Sequence, residues 1–133
     1  MTLDDPTRAL LERPNFVHVA TVLPDGGPHV VAVWAGVVDD DKVAFFTQPG
    51  SRKARNLERD PRVALSVVDH DDPYKTARLR AHVVEVREGD AALEVMDVLS
   101  IRHTGEPFPH RSGILFVCAV DAASYSELPF QRK

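Results

Sequence analysis

Between Phe16 and Thr47 the chain passes through three apolar, strand-like runs separated only by tight turn chemistry, and this spacing points to antiparallel hairpins. Phe16 to Leu23 alternates, with Phe16, His18 and Ala20 on one face and Val17, Val19 and Thr21 on the other. Pro24-Asp25-Gly26-Gly27 then turns the chain into Pro28 to Val38, and Asp39-Asp40-Asp41 turns it again into Lys42 to Thr47. Three further strands are expected at Val63 to Val68, at Thr76 to Arg87 with Leu79, Ala81, Val83 and Val86 facing inward, and at Gly113 to Asp121. Helices are expected from Asp4 to Glu12, capped by Asp4 or Asp5 and closed by Pro14, from Ser51 to Arg59, stopped at Asp60-Pro61, and from Asp90 to His103 with Ala92, Val95, Met96 and Leu99 at helical spacing. Six strands without βαβ alternation predict a mainly β (α+β) fold, a six-stranded antiparallel barrel with short helices. At 133 residues this is one domain, 1–133, large enough to bury a core without disulfides or metal.

Composition narrows the function by exclusion. A net charge of −4 argues against a general nucleic-acid binder, so an anion site has to be local. Cys118 is the one cysteine; it lies in the apolar run Ile114 to Val120, which reads as core and not as a nucleophile, and a reducing cytoplasm suits it. Met1-Thr2-Leu3-Asp4-Asp5 lacks the pattern of a signal peptide, and no apolar run is long enough to cross a bilayer, so a soluble cytoplasmic protein with no membrane partner is expected. The six histidines are scattered without ligand spacing, so no metal is expected, and neither a Gly-x-Ser-x-Gly elbow nor a Gly-x-Gly-x-x-Gly loop is present.

The junction Phe46-Thr47-Gln48-Pro49-Gly50-Ser51-Arg52-Lys53-Ala54-Arg55-Asn56-Leu57 carries the functional signal. A strand ends there and a basic helix begins, so a phosphate near Ser51 would meet helix amides, a hydroxyl and the cations of Arg52, Lys53 and Arg55. The alternative is a solvated basic face, because Arg52, Arg55 and Arg59 fall on one helical stripe while Ala54 and Leu57 can face inward.

These residues resemble the phosphate motif of the pyridoxamine 5′-phosphate oxidase superfamily, the flavin-binding split β-barrels. Ser51, Lys53, Arg55-Asn56-Leu57 and Arg59-Asp60-Pro61-Arg62-Val63 are similar in particular to the flavin/deazaflavin oxidoreductase branch, whose members mostly use coenzyme F420. The likeness extends through Asp25 to Val30 ahead of a strand ending at Trp34, Asp72-Pro73-Tyr74 ahead of Arg80, Thr104 to Pro109 and Tyr125, from about Asn15 to Glu127. Where many relatives follow the matching arginine with glycine, this chain has Ala81.

The resemblance implies a split barrel, a homodimer with the cofactor between subunits, and hydride transfer in which the cofactor carries the chemistry, so no catalytic side chain is named. Lys53 and Arg55, helped by Ser51 and Arg52, would neutralise the phosphate, and Asn56 would offer an amide. Phe46 and Thr47 match positions that hold the ring system and its linker, although one of Phe45 and Phe46 has to fill the barrel. Trp34 is an aromatic plate for ring or substrate, or else core or interface. Arg59 would extend the basic stripe toward an F420 tail, and Tyr74 and Arg80 would complete the site from the other chain. Three functions follow: an F420-dependent reductase acting on a small organic substrate; an FMN enzyme of the pyridoxamine-phosphate-oxidase kind; or a non-catalytic flavin, deazaflavin or haem-breakdown binding protein.

Overall fold

The computed structural model describes residues 2–130; Met1, part of the stretch read above for a signal peptide, and 131–133 of the expected domain lie outside it. Nine elements follow one another: α1 (Asp5–Glu12), β1 (Phe16–Val22), β2 (Pro28–Val38), β3 (Lys42–Thr47), α2 (Arg52–Arg59), β4 (Arg62–Val68), β5 (Lys75–Arg87), α3 (Gly89–Thr104) and β6 (Ile114–Glu127). The strands close into a barrel in the order β1-β2-β3-β6-β5-β4, with every neighbouring pair antiparallel. This is the six-stranded antiparallel barrel expected from the alternation.

The first two helices begin where short polar side chains satisfy one of their first amides, whereas α3 begins after Glu88, which makes no side-chain cap bond. Asp4 caps α1 by accepting from the Thr7 amide at 2.9 Å, and Ser51 caps α2 by accepting from the Ala54 amide at 3.1 Å. At the end of α3, Gly105 takes the left-handed conformation at φ 83° and donates its amide to the Ile101 carbonyl.

Alternation sorts the side chains. Val17, Val19, Leu65, Val67, Leu79 and Phe116 fill the barrel with Phe45, which settles the Phe45/Phe46 choice: Phe45 is fully buried inside and Phe46 faces outward, toward α3. A second apolar cluster, Ala44, Met96, Leu115 and Val117, cements α3 to the outside of β3 and β6. β2 has the expected bounds, Pro28–Val38, so Trp34 lies mid-strand opposite Phe16 and does not end its strand. One boundary differs from expectation. β6 runs on past Asp121 to Glu127, because register shifts between Arg80/Ala81 and Val83/Glu85 let the long strand β5 keep a partner to its start at Lys75.

Gly36 fixes where α3 sits. A Cβ there would lie 2.8 Å from a Leu99 methyl, so only glycine lets helix and strand come this close. Trp34 shares a strand face with Gly36, and His103 follows Leu99 by one helical turn, so the same close approach lays His103 against Trp34.

Candidate functional site

Five ring-bearing side chains outside the barrel, Phe16, Trp34, Phe46, His103 and Phe108, cluster beside Lys53 of α2. His103 stacks on Trp34 at a centroid distance of 4.9 Å and 11° between planes, while Phe46 and Phe108 each meet Trp34 edge-on at 6.2 Å. Phe46 and Phe108 are 5.0 Å apart at 75°, and Phe16 touches the far side of His103 at 5.7 Å. Edge-to-face rings hold one another in place. They bound a cleft of about 230 Å³ whose one cationic lining residue is Lys53.

Lys53 is half-buried, and that loss of water lowers its pKa below the ordinary lysine value. A desolvated ammonium beside a helix start favours an anion, the charge expected of a phosphorylated cofactor. Around it, the Thr47 hydroxyl donates to Ser51 Oγ at 3.0 Å, so the two residues are locked together at the strand-to-helix corner. The Ala54 amide is taken by Ser51 Oγ and the Arg55 amide by the Ser51 carbonyl, so of the first helical turn only the Arg52 and Lys53 amides have no carbonyl within the helix to bond.

The basic stripe is partly tied down by hydrogen bonds at Arg52 and Arg59. Arg52 Nε donates to Asn56 Oδ1 at 3.1 Å, and Asn56, fully buried, donates in turn to Thr21 Oγ1 at 3.0 Å. Asn56 thus ties α2 to β1. Arg59 donates to the Val22 carbonyl at the end of the same strand, and both Arg55 and Arg59 stay exposed.

Of the residues singled out from sequence, Trp34, Phe46, Thr47, Ser51 and Lys53 come together at this corner, with Arg52 and Arg55 on the adjoining helix face. Tyr74 and Arg80 do not join them within one chain. Tyr74 packs its ring on Phe130 at 5.4 Å. Arg80 lies on the outer face of β5, where open clefts of about 550 and 470 Å³ both run over Ala20 and Ala64, the first also over Ala122. Phe108 and His103 are the members that sequence reasoning passed over. The resemblance drew attention to the loop carrying Phe108, but nothing local shows that this loop folds back over β3.

Two other groups lie apart. Cys118 is buried, which pushes its thiol up to about 12 and leaves it inert as a nucleophile. Among the described residues, no three His, Cys, Asp or Glu side chains converge as a metal site would require, and no helix is long and apolar enough to cross a membrane.

Comparison with known proteins places this architecture. A family model described as pyridoxamine 5′-phosphate oxidase matches residues 3–123. A pyridoxine/pyridoxamine 5′-phosphate oxidase of Vibrio vulnificus (strain YJ016) is 33% identical over 100 residues, covering 75% of this chain and 45% of that protein. A Rubrobacter xylanophilus protein of the same description is 40% identical over 62 residues, 47% of this chain and 29% of its own length. The chain therefore spans less than half the length of these curated relatives. A solved structure described as an F420 reductase superposes with a TM-score of 0.77 at 33% identity, covering 88% of this chain and 94% of that one. A conserved hypothetical protein from Mycobacterium tuberculosis superposes at 0.80 over 100% of this chain and 92% of its own, with 22% identity, a likeness of fold alone.

Proposed function

Because the chain belongs to the pyridoxamine 5′-phosphate oxidase family, we propose that it is an oxidoreductase that binds a phosphorylated flavin-type cofactor at the corner between β3 and α2, and that this cofactor is F420. The observation that carries the reading is the meeting of an aromatic cleft, formed by Trp34, Phe46 and Phe108, with a desolvated Lys53 at a helix start. Flat ring and phosphate are the two parts of such a cofactor that a protein has to hold. The F420 assignment draws on the likeness to the F420 reductase, which extends over nearly the whole of that chain, whereas the curated oxidases continue well beyond the matched part.

In this reading Lys53 and Arg55, with Arg52 and the first amides of α2, neutralise the phosphate. Ser51 and Thr47 shape the corner, and Asn56 acts from behind by holding Arg52 and anchoring the helix. Arg59, at the far end of the stripe, lies toward a charged tail. Trp34, Phe46 and Phe108 flank the ring and keep water from one side of it. When bound, the reduced cofactor would supply hydride to an electron-poor C=C or related bond of a small organic substrate, with the balancing proton coming from solvent.

A cleft of about 230 Å³ is too small to enclose such a cofactor, since sites of this kind occupy roughly 300–1,000 Å³. We therefore include a second copy in the proposal. Its outer sheet face, with small residues at Ala20, Ala64 and Ala122 and exposed Phe16 and Val30, would cover the cleft and bring Arg80 and Tyr74 to it. FMN is the second reading, favoured by the family match and by the oxidases at 33% identity.

An absorbance scan after soaking purified protein with F420 or with FMN, followed by desalting, tests the proposal. Retention of the F420 band supports it; retention of FMN alone moves the assignment to the second reading, and retention of neither removes both.

A further inference from the structure

Between α3 and β6 the chain crosses an exposed loop that the structure fastens more thoroughly than burial alone requires. Asp97 on α3 accepts from the Phe108 amide at 3.1 Å, while Arg111 donates to the Phe108 carbonyl at 2.7 Å. Asp97 and Arg111 are themselves joined by two parallel bonds of 2.9 Å each. Both polar groups of the Phe108 backbone thus end in one carboxylate–guanidinium pair. On either side, the Ser100 hydroxyl donates to the Glu106 carbonyl at 2.7 Å and Gln48 donates to the Ser112 carbonyl at 3.1 Å.

The loop is therefore pinned on both sides of Phe108, whose ring closes on Phe46 and Trp34 and forms one wall of the aromatic cleft. We infer that Asp97 and Arg111 are positioning residues: they hold Phe108 in place as the cleft wall that decides how wide a flat ligand the cleft admits. This deepens the cofactor reading above and rests on it for the identity of the ligand. It rests on the structure alone for the clamp. Phe108 also covers the cluster around Met96, and if that is its whole role the clamp will matter to stability and not to the cleft.

The test uses the one tryptophan of the chain as its reporter. Trp34 emission of ligand-free protein, thermal melting, and Kd for F420 and FMN are measured for wild type, Asp97→Asn, Asp97→Glu, Arg111→Lys and Phe108→Ala. The clamp predicts that Asp97→Asn and Arg111→Lys shift Trp34 emission to the red as Phe108 loosens. They should also weaken the ligand that wild type binds roughly tenfold, the loss that about 1.4 kcal/mol represents. Asp97→Glu should recover part of both effects, and Phe108→Ala should match Asp97→Asn. Arg111→Lys, which keeps its charge at an exposed position, serves if Asp97→Asn fails to fold. Unchanged emission and unchanged affinity in folded Arg111→Lys and Phe108→Ala would overturn the inference. Wild type that bound neither ligand would remove the cofactor reading instead, and the emission shift, read without ligand, would still decide the clamp.

Discussion

Lys53 differs from the other cations of α2 because its surroundings, and not only its charge, suit an anion. Burial lowers its pKa, so the folded protein loses a little by keeping it charged, and removing the charge should not cost stability. Lys53→Met is therefore expected to melt no lower than wild type while weakening cofactor binding by about 1.5–3 kcal/mol, the worth of a charge-assisted hydrogen bond. Parallel melts and titrations check both halves. His103 offers a second residue-scale test. Burial, and then the neighbouring Arg102, lower its pKa below 6.5, so imidazole stacked on Trp34 stays neutral at pH 7. Protonated imidazole quenches an adjacent excited indole, so Trp34 emission should fall with a midpoint below pH 6.5, and His103→Gln should abolish that transition. The same sign governs stability: the unfolded chain binds this proton more readily, so the His103 contribution is lost as pH falls through 6.5 and below. At this scale the sequence was legible where chemistry is local. A helix starting at Ser51 and Phe46 opposite Phe45 were read from neighbours in the chain, and the structure makes Ser51 the cap of that helix, whereas the contacts of Phe108 and His103 with Trp34 depend on α3 crossing β2 at Gly36, a long-range packing fact.

At the scale of elements, α2 is held by its ends and by one buried amide. Ser51→Ala removes the cap and should cost about 1 kcal/mol. Asn56→Ala strips the bond to Thr21 and the support of Arg52, and a buried polar group left unsatisfied costs about 1–3 kcal/mol. Because Asn56 orients the cationic face, its replacement should also weaken cofactor binding; denaturant melts and titrations on one preparation separate the two effects. Element boundaries were readable where a turn or a cap marks them, as at Gly26-Gly27 and Ser51. They were not readable for β6, because Asp121 breaks the apolar run that alternation needs. The structure places Asp121 in the register shift, 2.9 Å from His82, and lets pairing resume beyond it. The bounds of β2 were readable, because turns mark both of its ends, and they place Trp34 mid-strand.

For the molecule as a whole, depressed carboxylate pKa values set the response to acid. Burial works against the charge of Asp69, but the amides of Asp71 and Asp72 and the Arg13 guanidinium outweigh it and hold its pKa below 3.8. The hydrogen bond from Arg62 brings Asp60 to about 2, and that from Arg111 lowers Asp97. These groups stabilise the fold above the ordinary carboxylate range, and that stability is lost as pH falls from 3.8 through their lower folded-state values. The melting temperature should thus be insensitive to these carboxylates near pH 7 and fall below about pH 4, less so for Asp69→Asn. The exposed sheet face over Ala20, Ala64 and Ala122 predicts a dimer of twice the 14.7 kDa chain mass in light scattering; a mass of one chain at micromolar concentration would remove the shared site. The barrel itself was legible because its hairpins are local, while a site shared between two chains, as proposed, would leave no pattern in one. The most direct test of the cofactor assignment is a parallel titration of wild-type protein with F420 and with FMN at one salt concentration. Tighter binding of F420 is the predicted result, and tighter binding of FMN, or binding of neither, would contradict it.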